Sequence, residues 1–417
     1  MSQEIAYKNG RLFVEEVDVA RLADAVGTPF YAYSATAISH AYARLRAAAS
    51  HPRVKIFYAV KALSHIAILK VLGQAGAGMD VVSGGEIKRC LAAGIPAARM
   101  VFSGVGKSED EITLALKEGI YQFNVESLPE LEALSRLAVG MKRRAPVALR
   151  VNPDVDAGGH VKIITGKEEN KFGINWDHAE EAYARASSLP GLEVQGLSVH
   201  IGSQILQLAP FRKTAERLEK MVRRLRAAGK KVERVSLGGG FGIPYQGGAF
   251  PLAEFGQLAN EVAEKFQCDI ELEPGRFLVG EAGILVTRTL YVKRGTAKNF
   301  LIVDAAMNDL IRPTLYEAYH PIGKVVEGGG GKERYDIVGP VCETGDYFAQ
   351  NREIEACSAG DLIAIFCTGA YGTAMASTYN SRSLIAESLI KGHNFSVIRP
   401  ALTIEQQLSW ENTPAWL

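Results

Sequence analysis

The chain has 417 residues, 47% of them hydrophobic, and a formal net charge of +1 from 47 basic and 46 acidic side chains. That length exceeds one typical domain and suits a large barrel joined to a second module; the balanced charge offers no footprint for nucleic acid or a membrane surface. The opening MSQEIAYKNG lacks the apolar core of a secretory signal, no run has the length of a transmembrane helix, and the five cysteines (Cys90, Cys268, Cys342, Cys357, Cys367) are scattered with no CxxC pair. Such a pattern points to reduced thiols in a cytoplasm rather than to a disulfide framework or a zinc knuckle, and no metal is expected.

The first segment, IAYKNGRLFVEEV, carries a hairpin signal at Asn9-Gly10. Its character matches the C-terminal third of the chain, and it is expected to pack there. From Lys55 to Arg276 eight apolar, β-branched runs follow: KIFYAV, MDVVSG, MVFSG, YQFNVES, PVALRVN, VQGLSVHIG, RVSLGGGF and DIELEPGR. Helix signals fill the intervals. SEDEITLALKEG opens on a serine N-cap with acidic residues in the first turn and ends on glycine; SLPELEALSRLAV and the stretch from Ala209 to Gly229 read the same way. Several runs are apolar throughout, as strands buried on both faces are. Eightfold alternation predicts a (β/α)8 barrel, with an open doubly wound sheet left as the alternative by count alone. Beyond about Gly283, short β-like runs (ILVTRTLYV, NFLIVDAAM, RYDIVGPVC, DLIAIFC, NFSVIRPAL) are separated by turns such as EGGGGKE. The expected organisation is α/β plus β: a barrel over residues 31–282, and a β-sandwich or β-barrel domain assembled from residues 1–30 and 283–417.

Functional residues of such barrels sit at the C-terminal ends of the strands. Here those ends hold Lys61, then Asp80, Ser83 and Gly84, Arg150 and Asn152, His200, Gly202 and Ser203, Gly238, Gly239 and Gly240, and finally Glu273, Gly275 and Arg276. A lysine that ends a strand is ordinarily a solvated cap. Its company on this rim, one histidine, one glutamate and two glycine-rich turns, points to chemistry instead. Turns after the seventh and eighth strands of barrels often cradle phosphate with backbone N–H groups, although glycines also simply make tight turns. GGGFG is not a dinucleotide fingerprint, since Ile243 stands where the last glycine would be, and VFSGVGKS lacks the first glycine of a Walker A loop at Val101. A phosphate site beside a rim lysine suggests pyridoxal 5'-phosphate, with Lys61 forming the Schiff base. Glu273 is placed to partner the pyridine nitrogen, the plain alternative being an ion pair with Arg276. His200 is a candidate for stacking on the ring, against a satisfied core histidine. In the second domain GPVCETGD places Cys342, Glu343 and Asp346 in a loop of exposed character, where a thiol can serve as general acid; a small buried hydrophobe is the commoner role of a free cysteine. CTGAYG sets Tyr371 between glycines, and in MNDLIRPTLYEAYH Arg312 and Tyr316 share a face if the stretch is helical.

In this order, FYAVKA, SVHIGSQ, SLGGGFG, ELEPGR, GPVCETGD and GAYG resemble the fold-type III pyridoxal-phosphate-dependent decarboxylases over essentially the whole chain. The resemblance implies an alanine racemase-like barrel with a C-terminal β-domain, working as a homodimer whose active sites are shared between subunits. It implies Lys61 as the cofactor anchor, with cofactor contacts from Asp80, His200, Ser203, Gly239, Gly240, Glu273, Gly275, Arg276 and Tyr371, and Cys342 as the proton donor to the partner's site. Within the family the chain resembles members that convert meso-diaminopimelate to L-lysine and carbon dioxide, the last step of lysine biosynthesis. For them Arg276 and Arg312 would clamp the distal carboxylate, Tyr316 and Tyr371 would add contacts, and Glu343 would take the distal amine. Ornithine-type relatives typically carry aspartate where Glu343 stands and would leave two arginines without anions; carboxynorspermidine is a further substrate with a distal carboxylate. An amino-acid racemase would share barrel, lysine and cofactor but has no need of the Cys342-Glu343 loop. A non-catalytic relative would usually have lost the lysine, the cysteine or the glycines, all of which are present. NPDVDAGGH…ITGKEENKFG is also similar to the diaminopimelate-type members, and its loop is expected to close over substrate; His160 takes no assigned role.

Overall fold

The computed structural model of the protein describes residues 2–158 and 171–417. Most of the loop expected to close over substrate, including His160, lies outside the described residues. Eight parallel strands form a closed barrel: Val54–Ala59, Gly78–Val81, Met100–Phe102, Gln122–Val125, Ala145–Asn152, Leu192–Ser198, Arg234–Gly238 and Asp269–Leu272. The eighth strand pairs back onto the first, from Ile270↔Val54 to Leu272↔Ile56, which excludes the open sheet. All eight expected runs are strands.

The helices between them form for local reasons. Ser108 caps Glu109–Glu118 in a reciprocal capping box with Glu111, and Gly119 ends the helix in the left-handed region. Ser127 caps Leu128–Gly140. Ala209–Ala227 buries Phe211, Leu218, Met221 and Leu225 along one stripe. No helix among the described residues is long and apolar enough to cross a membrane.

The chain divides into two compact units. The barrel unit comprises Ser39–Ile243 and Gly248–Leu278; the other comprises Met1–Ile38, Pro244–Gly247 and Val279–Leu417. In the latter, Gly283–Lys293 pairs antiparallel with Phe30–Ser34, which in turn runs parallel to Ala386–Lys391. Phe30–Ser34, buried at every position, thus belongs to this sheet, although its residues from Tyr31 on open the expected barrel range. The sheet is mixed, since Asn299–Val303 also runs parallel to Lys332–Val338. The Asn9-Gly10 turn joins Ile5–Lys8 to Arg11–Val14 with both residues at positive φ, 51° and 72°, as a two-residue type I′ turn demands. This hairpin is tied to the C-terminal portion: the Leu12 N–H donates to the Val325 carbonyl and the Glu327 N–H to that of Gly10.

Candidate active site

The first barrel strand ends in a single 3-10 turn, Val60–Ala62. Val60 and Ala62 are buried and Lys61 alone is exposed. The turn is anchored where the Ala59 N–H donates to the Pro274 carbonyl at 3.0 Å, joining it to the loop after the eighth strand. No ion pair holds the Lys61 ammonium among the described residues.

Three loops meet beside it. The glycines of the 238–240 turn are needed because backbone presses on backbone. A Cβ on Gly238 would lie 2.3 Å from the Val199 carbonyl oxygen, one on Gly239 2.0 Å from that of Glu273, and one on Gly240 2.3 Å from that of Gly202. The immediate role of these glycines is therefore to draw together the ends of the sixth, seventh and eighth strands, a nearer reason than close approach to a ligand. Phe241, next in sequence, packs against Phe255 with ring centroids 4.5 Å apart and also against Phe211 and Phe250, so the turn stands on a rigid aromatic base.

His200 accepts a hydrogen bond on Nδ1 from the Gly239 N–H at 3.2 Å, which leaves the ring proton on Nε2. Burial, and then the nearby Lys61 and Arg150 charges, hold this imidazole well below its usual pKa, so the ring is neutral. Arg276 donates to the Ser203 hydroxyl at 3.0 Å, not to Glu273. Glu273 sits in a buried polar network. Its Oε1 accepts from Ser236 at 2.7 Å and from the Asn124 amide at 3.3 Å. Asn124 also donates to Ser103, which donates to Asp80 at 2.6 Å. Burial raises both acids, Glu273 further because Asp80 repels it, and Lys61 draws Asp80 back down. Lys61, Asp80, His200 and Glu273 thus share one electrostatic site, with Ser203, Gly239, Gly240, Gly275 and Arg276 on its loops.

The expected residues from later in the chain lie in the other unit. Arg312–Tyr316 is a short helix, so Arg312 and Tyr316 do share a face. Arg312 is 6% exposed; its Nη1 donates to the Tyr245 hydroxyl at 3.0 Å and to His320 Nε2 at 2.7 Å, while His320 Nδ1 faces the Phe366 carbonyl. Thr314 of this helix donates to the Gly345 carbonyl at 2.6 Å, which brings the Cys342 loop alongside. Cys342 and Glu343 are exposed; the Cys342 N–H donates to the Asn380 side chain, and the nearby Glu343 carboxylate raises the pKa of the Tyr379 phenol. Tyr371 is half-buried with φ at 58°, an uncommon left-handed conformation for a non-glycine residue.

Asp346 is not available to a substrate amine. It is buried, and its two oxygens accept the Met307 and Val341 N–H groups, each at 2.7 Å. Asp346→Asn turns one acceptor into a donor facing an N–H, and is expected to cost roughly 1–3 kcal/mol of stability in a denaturant titration. Glu343→Gln, at an exposed position, should stay within about 0.5 kcal/mol.

Sequence reasoning missed Ser103, Gln122, Asn124, Ser236 and Glu271, all buried in the barrel. A signal existed: Gln122-Phe123-Asn124 and Glu271-Leu272-Glu273 place polar residues at every second position of apolar strands, hence on one face. Tyr379 and Asn380 carried no such signal.

Residues 36–280 match the family model described as "Pyridoxal-dependent decarboxylase, pyridoxal binding domain". The diaminopimelate decarboxylase of Zymomonas mobilis is 45% identical over 98% of this chain and 99% of its own. The crystal structure of diaminopimelate decarboxylase from Helicobacter pylori complexed with L-lysine is 38% identical and superposes with a TM-score of 0.90 over 94% of this chain and 98% of that one. That from M. jannaschii in co-complex with L-lysine, at 33% identity, gives 0.95 over 100% and 99%. The chain therefore belongs to the pyridoxal-dependent decarboxylases and, within them, to the diaminopimelate decarboxylase family.

Proposed function

We propose that this chain decarboxylates meso-2,6-diaminopimelate to L-lysine and carbon dioxide with pyridoxal 5'-phosphate, the last step of lysine biosynthesis. The observation that carries this reading is the 45% identity to a diaminopimelate decarboxylase over 98% of the chain, which spans both units.

The barrel mouth fits the cofactor. It offers an exposed amine without an ion pair among the described residues, a neutral imidazole, and a buried carboxyl, Glu273, that burial and Asp80 hold partly protonated until a cationic partner arrives. When bound, pyridoxal phosphate supplies the electron sink for the charge left as the carboxylate departs. Lys61 is the attachment point, with Asp80 within its electrostatic reach. Glu273 keeps the proton on the pyridine nitrogen. His200, being neutral, packs against the ring without opposing that proton. Ser203, Gly239, Gly240, Gly275 and Arg276 hold the phosphate, and Tyr371 adds a further contact.

For the substrate, Arg312 with Tyr316 binds the distal carboxylate, Arg276 contributes a second guanidinium, and Glu343 takes the distal amine. The exposed Cys342 thiol delivers the proton that replaces the lost carboxylate on the α-carbon. It acts in the partner subunit's site, within a homodimer. A cytoplasmic setting accords with five unpaired thiols.

The test is to incubate the cofactor-loaded protein with meso-diaminopimelate and follow carbon dioxide and lysine, with L-ornithine, L-arginine and carboxynorspermidine in parallel. Product from diaminopimelate alone is expected; activity only on an amine-tailed substrate removes the reading. Arg312→Lys keeps the charge but loses the planar fork, and should raise KM for diaminopimelate about 10- to 100-fold with a smaller change in kcat. An unchanged KM takes Arg312 out of substrate recognition.

A further inference from the structure

Glu273 is held in an unusual way. Both of its donors, Ser236 and Asn124, bind the same oxygen, Oε1, and Oε2 accepts no hydrogen bond among the described residues. Ser236 is itself fixed, because its hydroxyl oxygen accepts from the Gly238 N–H at 3.0 Å. Asn124 is fixed from below. Its carbonyl oxygen accepts from the Gln122 amide at 3.0 Å, and its amide nitrogen uses one hydrogen on Ser103 at 3.1 Å and one on Glu273. Gln122 is fixed in turn: its nitrogen also donates to Glu271 at 2.8 Å, and its carbonyl oxygen accepts from the Arg234 guanidinium at 3.3 Å.

Every amide in this chain of contacts has one workable orientation. Arg234 has only donors, so it must face the Gln122 oxygen. The Gln122 nitrogen then faces the Asn124 oxygen, and the Asn124 nitrogen faces Glu273. Rotating either amide would set donor against donor and oxygen against carboxylate inside a dry core, where an unmade hydrogen bond is costly. Gln122, Asn124, Ser236 and Glu271 are each at most 1% exposed, so water does not substitute. An apolar barrel interior would fold as readily; this one spends its central positions on a directional relay that ends at one oxygen of one acid.

We propose that Gln122 and Asn124 are positioning residues that pin Glu273 by Oε1 and so present Oε2 alone to the cofactor's ring nitrogen. This rests on the reading of Glu273 given above. The other charged groups facing Glu273 are Asp80, Glu271 and Arg150, and none of them donates a hydrogen bond to it. With the relay intact, the ion pair between Glu273 and the protonated ring nitrogen is made in one geometry. Without it, the carboxyl can turn and the ring nitrogen loses its proton more readily.

The test uses the full-length protein loaded with pyridoxal phosphate labelled with nitrogen-15 in the ring, following the ring-nitrogen chemical shift against pH. In Asn124→Leu the titration midpoint should fall by about one unit or more, a tenfold or greater loss of protonation. Over the same change kcat should drop roughly tenfold with KM little altered. Gln122→Met, one link further away, should move the midpoint in the same direction by less, and it carries the test if Asn124→Leu fails to fold. Glu273→Gln is the control. If it shifts the midpoint and both relay variants titrate like the unaltered protein, the relay is overturned while the Glu273 reading stands. If Glu273→Gln also leaves the midpoint in place, Glu273 is not the ring-nitrogen partner, and both fall.

Discussion

Lys61→Ala is expected to abolish turnover, with a loss on the order of 10^4-fold or more, because the proposed covalent anchor is lost. The protein should remain folded. Lys61 is the exposed residue of a turn whose flanking Val60 and Ala62 are buried and whose backbone is tied to Pro274, so the side chain contributes little to packing. A stability change within about 0.5 kcal/mol is anticipated. The decisive measurement is the absorbance band of the lysine-linked cofactor, which should vanish even when cofactor is supplied in excess. A small exogenous amine should restore a fraction of turnover. Persistence of the band in Lys61→Ala would place the attachment elsewhere.

Cys342→Ala is expected to lower kcat by roughly 10^2- to 10^4-fold, the range for loss of a positioned proton donor, with cofactor absorbance unchanged. The five cysteines divide sharply. Cys90, Cys268, Cys357 and Cys367 are buried. Burial pushes the thiols of Cys90, Cys268 and Cys367 up to about 12 and that of Cys357 up to about 11. Such thiols behave as small hydrophobes. Cys342 alone is exposed, on a loop whose backbone is fixed by Asp346 and Asn380 rather than by its own side chain. Removing the sulfur should therefore leave the loop in place. A thiol reagent should label one site per chain in the native protein and none in Cys342→Ala. Full turnover in that variant would assign the proton to another donor.

Much of this molecule follows from local rules. The eight barrel strands are apolar runs of the right length. The helix at Glu109–Glu118 is written in its Ser108 and Glu111 caps, and the hairpin at Asn9-Gly10 in a dipeptide that tolerates positive φ twice. Lys61, His200 and Glu273 could be picked out because barrel chemistry is confined to strand ends, so sequence position alone predicts convergence. What the sequence determined by itself is thus the set of elements and the residues at their ends.

Tertiary structure decided the rest, because the partners concerned are far apart in the chain. Phe30–Ser34 reads as a short apolar run; only its pairing with Gly283–Lys293 and Ala386–Lys391 assigns it to the β-rich unit. Asp346 reads as part of an exposed loop until its burial and the two backbone N–H groups on its carboxylate are seen. The glycines at 238–240 suggest a ligand cradle, yet the carbonyls that exclude a Cβ there come from Val199, Gly202 and Glu273. Glu273 owes its raised pKa to burial and to Asp80, and its single held oxygen to Asn124 and Ser236, residues on three other strands. The physical reason is the same in each case. Periodicity and capping are energies of neighbouring residues, whereas burial, desolvation and hydrogen-bond direction depend on which distant groups the closed barrel and the mixed sheet bring within 3 Å or so of one another.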